Sequence, residues 1–216
     1  MKKILSAKKI AKRYTSPTPV EVLSDISLDI HEGETVAITG KSGEGKSTLL
    51  HILGTLEKPT SGHLEICNIN PTPQNVSHLR NKSIGFIFQS FNLLENYTTI
   101  ENVLMPAKIG RLDTAPKSPA YAHAKALLEE VGLSERANFP AKLLSGGEKQ
   151  RAAIARAFCN DPDIIFADEP SGNLDHAHSC IIHALLIGSA KKETKLLLSS
   201  HTTKNSPLCA IPLITS

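Results

Sequence analysis

Short apolar runs, broken by glycine, proline and clusters of polar residues, divide the chain into elements of two periods. Thr35-Val-Ala-Ile-Thr39, Ile84-Gly-Phe-Ile-Phe-Gln89 and Ile164-Ile-Phe-Ala-Asp168 are nearly continuous apolar stretches, as is Lys195-Leu-Leu-Leu-Ser-Ser200. Strands buried on both faces of a parallel sheet carry this pattern. Residues 1 to about 35 instead read as short alternating strands around Ser16-Pro-Thr-Pro19, and Gly62-His-Leu-Glu-Ile-Cys67 adds another, predicting an antiparallel β layer. From about 90 to 158 the period lengthens to that of helices. The amphipathic stretch Tyr121–Val131 follows the breaker-rich segment Gly110–Pro119 and meets its stop at Gly132. An α/β core drawn from residues 35–56, 84–89 and 160–201, interrupted by a helical insert, is the architecture these patterns predict. No internal repeat appears.

Chemistry enters where the first apolar run ends. GKSGEGKS, Gly40 to Ser47, fits G-x-x-x-x-G-K-S/T and lies between a predicted strand and the helical run Ser47–Leu53. Gly40, Gly43 and Gly45 permit left-handed backbone, so successive N–H groups can turn inward on an anion at the positive end of a helix, with Lys41, Ser42, Glu44 and Thr48 completing the candidate ATP-binding segment. Lys46 is placed to reach β and γ phosphates and Ser47 to ligate Mg²⁺. The alternative is a glycine turn with a surface lysine.

A second helix start stands about a hundred residues later. In LSGGEKQ, Leu144 to Gln150, Ser145 and Glu148 have the S-x-x-E spacing of a capping box opening the run Arg151–Phe158. Ordinary capping explains that string when it is taken alone. One nucleotide on one small domain is hard pressed to use two anion cradles, unless the second acts on a neighbouring copy. FADEP follows, and its buried strand ends in two carboxylates, Asp168 and Glu169, which alone would also fit a helix cap or solvated turn.

Taken in order, these motifs resemble the ATP-binding subunits of ABC transporters, and the resemblance covers nearly the whole chain. It implies an α/β P-loop NTPase fold of ABC type, with the antiparallel β layer and the helical subdomain inserted at about 90–158 in one domain spanning 1–216. It implies ATP and Mg²⁺ as cofactors and ATP hydrolysis as the reaction. Under it Tyr14 stacks on adenine, the alternative being an edge-strand tyrosine. Gln89 touches Mg²⁺ and the attacking water, Asp168 holds Mg²⁺ through water, and Glu169 polarises the water. Ser145, Gly146, Gly147 and Glu148 serve ATP bound by a second copy, Asp175 of Ser171–Asp175 crosses between copies, and His201 contacts the γ-phosphate.

The segment Gln89–Val103 with Met105-Pro106, and then Ser171–Asp175, is similar to the branch of that family containing lipoprotein-releasing ATPases, with MacB-like macrolide exporters and FtsE-like cell-division ATPases as alternatives. The first implies extraction of lipoproteins from the inner membrane. The partners implied are two integral membrane subunits of LolC/LolE type and a second copy of the chain in an ATP sandwich, with no nucleic acid. The place implied is the cytoplasmic face of the inner membrane, held peripherally.

Composition changes this picture little. The chain has 216 residues, 40% of them hydrophobic, enough for a sizeable core. The formal charge of +3 is concentrated at Lys2, Lys3, Lys8, Lys9, Lys12 and Arg13, which read as a solvated edge rather than a nucleic-acid or lipid patch. No run approaches the 18 apolar residues of a membrane span, and no apolar leader follows the first lysines. Cys67, Cys159, Cys180 and Cys209 lack metal or redox spacing and read as buried thiols; His176, His178 and His183 cluster without an acidic or thiol partner. Two features depart from the family. Thr202 stands where an acid commonly follows the histidine, and Pro207 and Pro212 in a short tail predict that the last strands are missing.

Overall fold

The computed structural model describes residues 2–41, 43–170, 195–200 and 213–215. Two sheets carry the fold. Strands β1 (Lys3–Tyr14), β2 (Val20–His31) and β4 (Ser61–Ile66) form an antiparallel layer in the order β2-β1-β4. The first two are longer than the short strands predicted, at 12 residues each. They stay in register through opposed bulges, where Lys9 on one strand and Asp25 on the other take φ of 51° and 50°.

The second sheet is wholly parallel, in the order β5-β6-β7-β3-β8, from β3 (Thr35–Thr39), β5 (Ile84–Ile87), β6 (Ile164–Asp168), β7 (Lys195–Ser200) and β8 (Leu213–Thr215). Strand β6 is buried throughout, and its side chains alternate between two cores. Ile164 and Phe166 join the β layer and helix α1 (Lys46–Leu53), while Ile165 and Ala167 join the helical insert. That is why its sequence is continuously apolar instead of alternating. Strand β8 corrects the expectation that the tail supplies no strand. Three residues pair with β3 at the sheet edge, beginning just after Pro212, and an edge start is where a neighbouring proline is tolerated.

The insert contains α3 (Thr99–Val103), α4 (Met105–Ile109), α5 (Pro119–Glu130) and α6 (Gly146–Phe158); α2 (Val76–Ser83) precedes it and was not predicted. Helix α5 starts at Ser118, whose hydroxyl accepts from the Tyr121 N–H. It stops as the sequence requires: Gly132 has φ of 69°, its N–H donates to Glu129 O at 2.9 Å, and the Leu133 N–H reaches Leu128 O at 2.7 Å. Those two bonds make a Schellman motif, with Leu133 and Leu128 buried together. No helix among the described residues is long and apolar enough to cross a membrane. Of the cysteines within the described residues, Cys159 is buried but Cys67 only half so, and burial raises both thiols to about 11. Cys180, Cys209 and the histidines at 176, 178 and 183 lie outside the described residues.

Helix α6 packs directly on β5, and the contact is closest at Gly85. A Cβ there would stand 2.4 Å from the Ala157 carbonyl oxygen and 2.3 Å from Ile165 Cδ1. Backbone cannot yield as a side-chain tip can. Gly85→Ala is therefore expected to lower stability by about 1–3 kcal/mol through overpacking, measured as a lower denaturant midpoint with unchanged slope.

Candidate nucleotide site

The carboxyl ends of the parallel strands bring the predicted chemistry to one edge. Register pairs Thr39 with Ser200 and Asp168 with Ser199, so the loop after β3, the acids ending β6 and the segment after β5 leave the sheet at one level. Ligands of open α/β sheets bind in such crevices. A cavity of about 470 Å³ lies there, lined by Val22, Gly43, Gly45, Lys46, Ser47, Thr48, Gln89 and Glu169.

Glycine is needed at two points of this loop. Gly43 and Gly45 have φ of 83° and 86°, and a Cβ on Gly45 would come within 2.8 Å of Val22 Cγ1 and 3.0 Å of Val22 O. The loop is braced by Glu44, whose Oε2 accepts from the Lys41 N–H at 2.6 Å. Lys46 is only 6% exposed, and its ammonium donates to the carbonyls of Gly40 and Lys41 at 2.9 and 2.8 Å. An incoming phosphate would exchange for those carbonyls.

Opposite the loop, Ser47 Oγ donates to Asp168 Oδ1 at 3.0 Å and Gln89 Nε2 donates to Glu169 Oε2 at 3.1 Å. Glu169 holds a φ of 44°, a left-handed conformation unusual for a glutamate and of the kind that accumulates at functional sites. Hydroxyl, amide and carboxylate oxygens are the hard donors that suit Mg²⁺. His51, unanticipated, stands 3.8 Å from Asp168 Oδ2. Its position one helical turn after Ser47 on α1 was the available signal. The segment after Gln89 is held by Arg156, which donates to the carbonyls of Phe91 and Asn92 at 2.7 and 2.5 Å.

Tyr14 does not line the cavity but interacts with Thr48, which does, and its hydroxyl donates to Glu57 Oε1 and Oε2, at 2.8 and 2.9 Å. Glu57 carries no sequence signal, and its ion-pair partner Lys12 reads in the sequence only as part of a solvated basic edge. Lys3, Lys12 and Arg13 of the basic strand are matched by Asp29, Glu57 and Glu21, so half of the six-residue charge cluster is answered within the layer.

The LSGGEKQ residues do not line this cavity. They open α6 with the predicted capping box: Ser145 Oγ accepts from the Glu148 N–H at 3.3 Å, and Glu148 Oε2 accepts from the Ser145 N–H at 2.8 Å. Gly146 and Gly147 form the first turn, whose N–H groups have no intrahelical acceptor. Arg136 Nε adds a 2.9 Å bond to Glu148 Oε1, a contact invisible in the sequence. Ser42, Asp175 and His201 lie outside the described residues.

The ABC transporter family model matches residues 23–172, from the second strand through both motifs. The chain belongs to the ABC transporter family. As an ABC cassette it is 54% identical, over 96% of its length and 91% of the relative's, to the lipoprotein-releasing system ATP-binding protein LolD of Protochlamydia amoebophila. It is 43% identical to the protein of the same description from Cytophaga hutchinsonii, over 96% and 94% of the two chains. Among solved structures, a dimeric ATP-binding cassette in a post-hydrolysis state bound to ADP and Pi superposes with a TM-score of 0.82 at 35% identity, covering 92% of this chain and 88% of that one. This ABC cassette is thus a LolD-like, ATP-binding and ATP-hydrolysing subunit.

The Ser145 N–H, Arg136 and the Ser145 hydroxyl together hold the Glu148 carboxyl at about 2, below its ordinary 4.5. A depressed carboxyl stabilises the fold above its unfolded value and loses that contribution as pH falls toward the folded one. The stability difference between the wild-type chain and Glu148→Gln, measured by urea unfolding, is therefore expected to be largest above about pH 4.5 and to shrink steadily toward pH 2.

Proposed function

We propose that this cassette drives release of lipoproteins from the inner membrane, working as a pair of copies beneath two integral membrane subunits of LolC/LolE type. The reading rests on the 54% identity to a lipoprotein-releasing ATP-binding protein across nearly the full chain. The whole of 1–216 acts as one ABC ATPase domain, with the helices of about 90–158 as its inserted subdomain, on the cytoplasmic face of the membrane. Nucleic acid has no part in it.

The hydrolytic reading is carried by one observation: Ser47 bonded to Asp168 and Gln89 bonded to Glu169 at the mouth of the glycine loop. Phosphoryl transfer asks mainly for positioning and charge stabilisation. N–H groups of the glycine loop, Ser42 among them, cradle the phosphates while that of Lys41 braces the loop on Glu44, and Lys46 trades its two carbonyl partners for phosphate oxygens. Tyr14 stacks on adenine. Ser47, Asp168 and Gln89 would hold Mg²⁺, whose charge neutralises that developing on the phosphates. Glu169, its carboxylate oriented by the Gln89 amide, accepts the proton of the attacking water, and His201 steadies the γ-phosphate.

The signature end of α6 serves the other copy. Ser145, Gly146, Gly147 and Glu148 lie away from their own chain's cavity; with the Ser145 and Glu148 N–H groups used in the cap, those of Gly146 and Gly147 would serve ATP bound by the second copy, with Asp175 at the crossing between copies. ATP closes the pair; hydrolysis lets it open.

General-base loss typically costs about 10²–10⁴ in rate. Glu169→Gln is expected to bind ATP, hydrolyse it slower by about that factor, and accumulate as a dimer in light scattering; a monomer with bound ATP would overturn the sandwich. Mild-detergent purification from native membranes is expected to recover two integral membrane subunits together with lipoprotein. Recovery without membrane subunits would overturn the transport role.

A further inference from the structure

We propose that Glu57, held by Lys12, is a positioning residue for adenine: it fixes the Tyr14 ring before nucleotide arrives. The inference rests on the adenine role of Tyr14 and extends it to two residues outside the motifs.

Tyr14 is the last residue of β1 and keeps 37% of its surface exposed. A half-exposed ring has rotamers to lose when a base stacks on it, and affinity falls by what that ordering costs. Here the ordering is already done. Both Glu57 oxygens receive the hydroxyl, at 2.8 and 2.9 Å, which fixes the ring's far end. Lys12 Nζ sits over one face, 5.0 Å from the centroid, leaving the opposite face for the base.

The clamp is itself secured. Lys12 Nζ is 2.8 Å from Glu57 Oε1 and donates to Lys58 O at 2.8 Å, with its side chain only 14% exposed. The turn carrying Glu57 is tied to α1, for the Leu56 and Glu57 N–H groups both donate to His51 O, at 2.8 and 3.2 Å. One helix therefore presents the phosphate cradle at its start and the tyrosine clamp at its end. Phosphate and base are positioned by the same rigid element.

Calorimetric titration of the whole chain with ADP and with pyrophosphate tests this, since only ADP carries the base. Glu57→Ala is expected to weaken ADP about 2- to 10-fold and leave pyrophosphate unchanged. Glu57→Gln, which still accepts from the hydroxyl, is expected to recover part of the loss. In a Tyr14→Phe background, where no hydroxyl remains, Glu57→Ala is expected to add nothing further. An equal loss for both ligands would mean that Glu57 supports the loop or the fold, and would overturn the proposal. If Tyr14→Ala weakens ADP while Glu57→Ala does not, the positioning role alone is lost. If Tyr14→Ala leaves ADP unchanged, the adenine role fails and the positioning role with it.

Discussion

The register of the parallel sheet is the constraint on which the rest of the site depends. Pairing Thr39 with Ser200 and Asp168 with Ser199 puts the glycine loop and the paired acids at one height. A slip of one residue would move Asp168 along the strand by about 3.3 Å and turn it to the other face, ending its 3.0 Å bond with Ser47. What forbids the slip is packing. Ile164 and Phe166 fill one core while Ile165 and Ala167 fill the other, so a shift would take the phenylalanine from one core and force it into the other.

The helical insert is bound to this edge by a partly buried cation. Partial burial of Arg156 lowers its pKa, and its two bonds to the Phe91 and Asn92 carbonyls replace hydration lost there. Those carbonyls follow Gln89 directly and belong to residues with φ of 61° and 49°, a backbone shape that turns both oxygens toward one guanidinium. Arg156 sits near the end of the helix that Ser145 begins. The Gln89 segment and the signature turn are thus attached to opposite ends of one 13-residue helix, about 20 Å long.

Much of this was legible because it is local. The glycine loop, the S-x-x-E cap, the apolar run ending in Asp168-Glu169 and the stop at Gly132 are each fixed by sterics or hydrogen bonding within a few residues, and each stands where the sequence puts it. Contacts between distant loops left no such trace. Tyr14 and Glu57 are 43 positions apart, Arg156 and Asn92 are 64 apart, and which lysine meets which acid is decided by the fold. The tail was misjudged for a different reason: Pro207 and Pro212 were weighed against a central strand, whereas β8 is an edge strand that starts beyond them.

The two anion cradles differ in a way that bears on how they divide the work. The glycine loop carries its own cation, Lys46, buried against the loop carbonyls and ready to exchange partners. At the start of α6, the bonded cation Arg136 is instead committed to Glu148, and Glu148 and the Ser145 hydroxyl to the cap, so that this helix end offers the first-turn N–H groups of Gly146 and Gly147. Helix-end donors alone contribute modestly at an exposed surface, where solvent competes for the anion. Such a cradle gains strength when a phosphate already held elsewhere is brought to it and water is excluded between the two. Under the proposed sandwich, a strong site and a weak one on each chain favour a division in which the first captures nucleotide and the second registers that a partner has arrived.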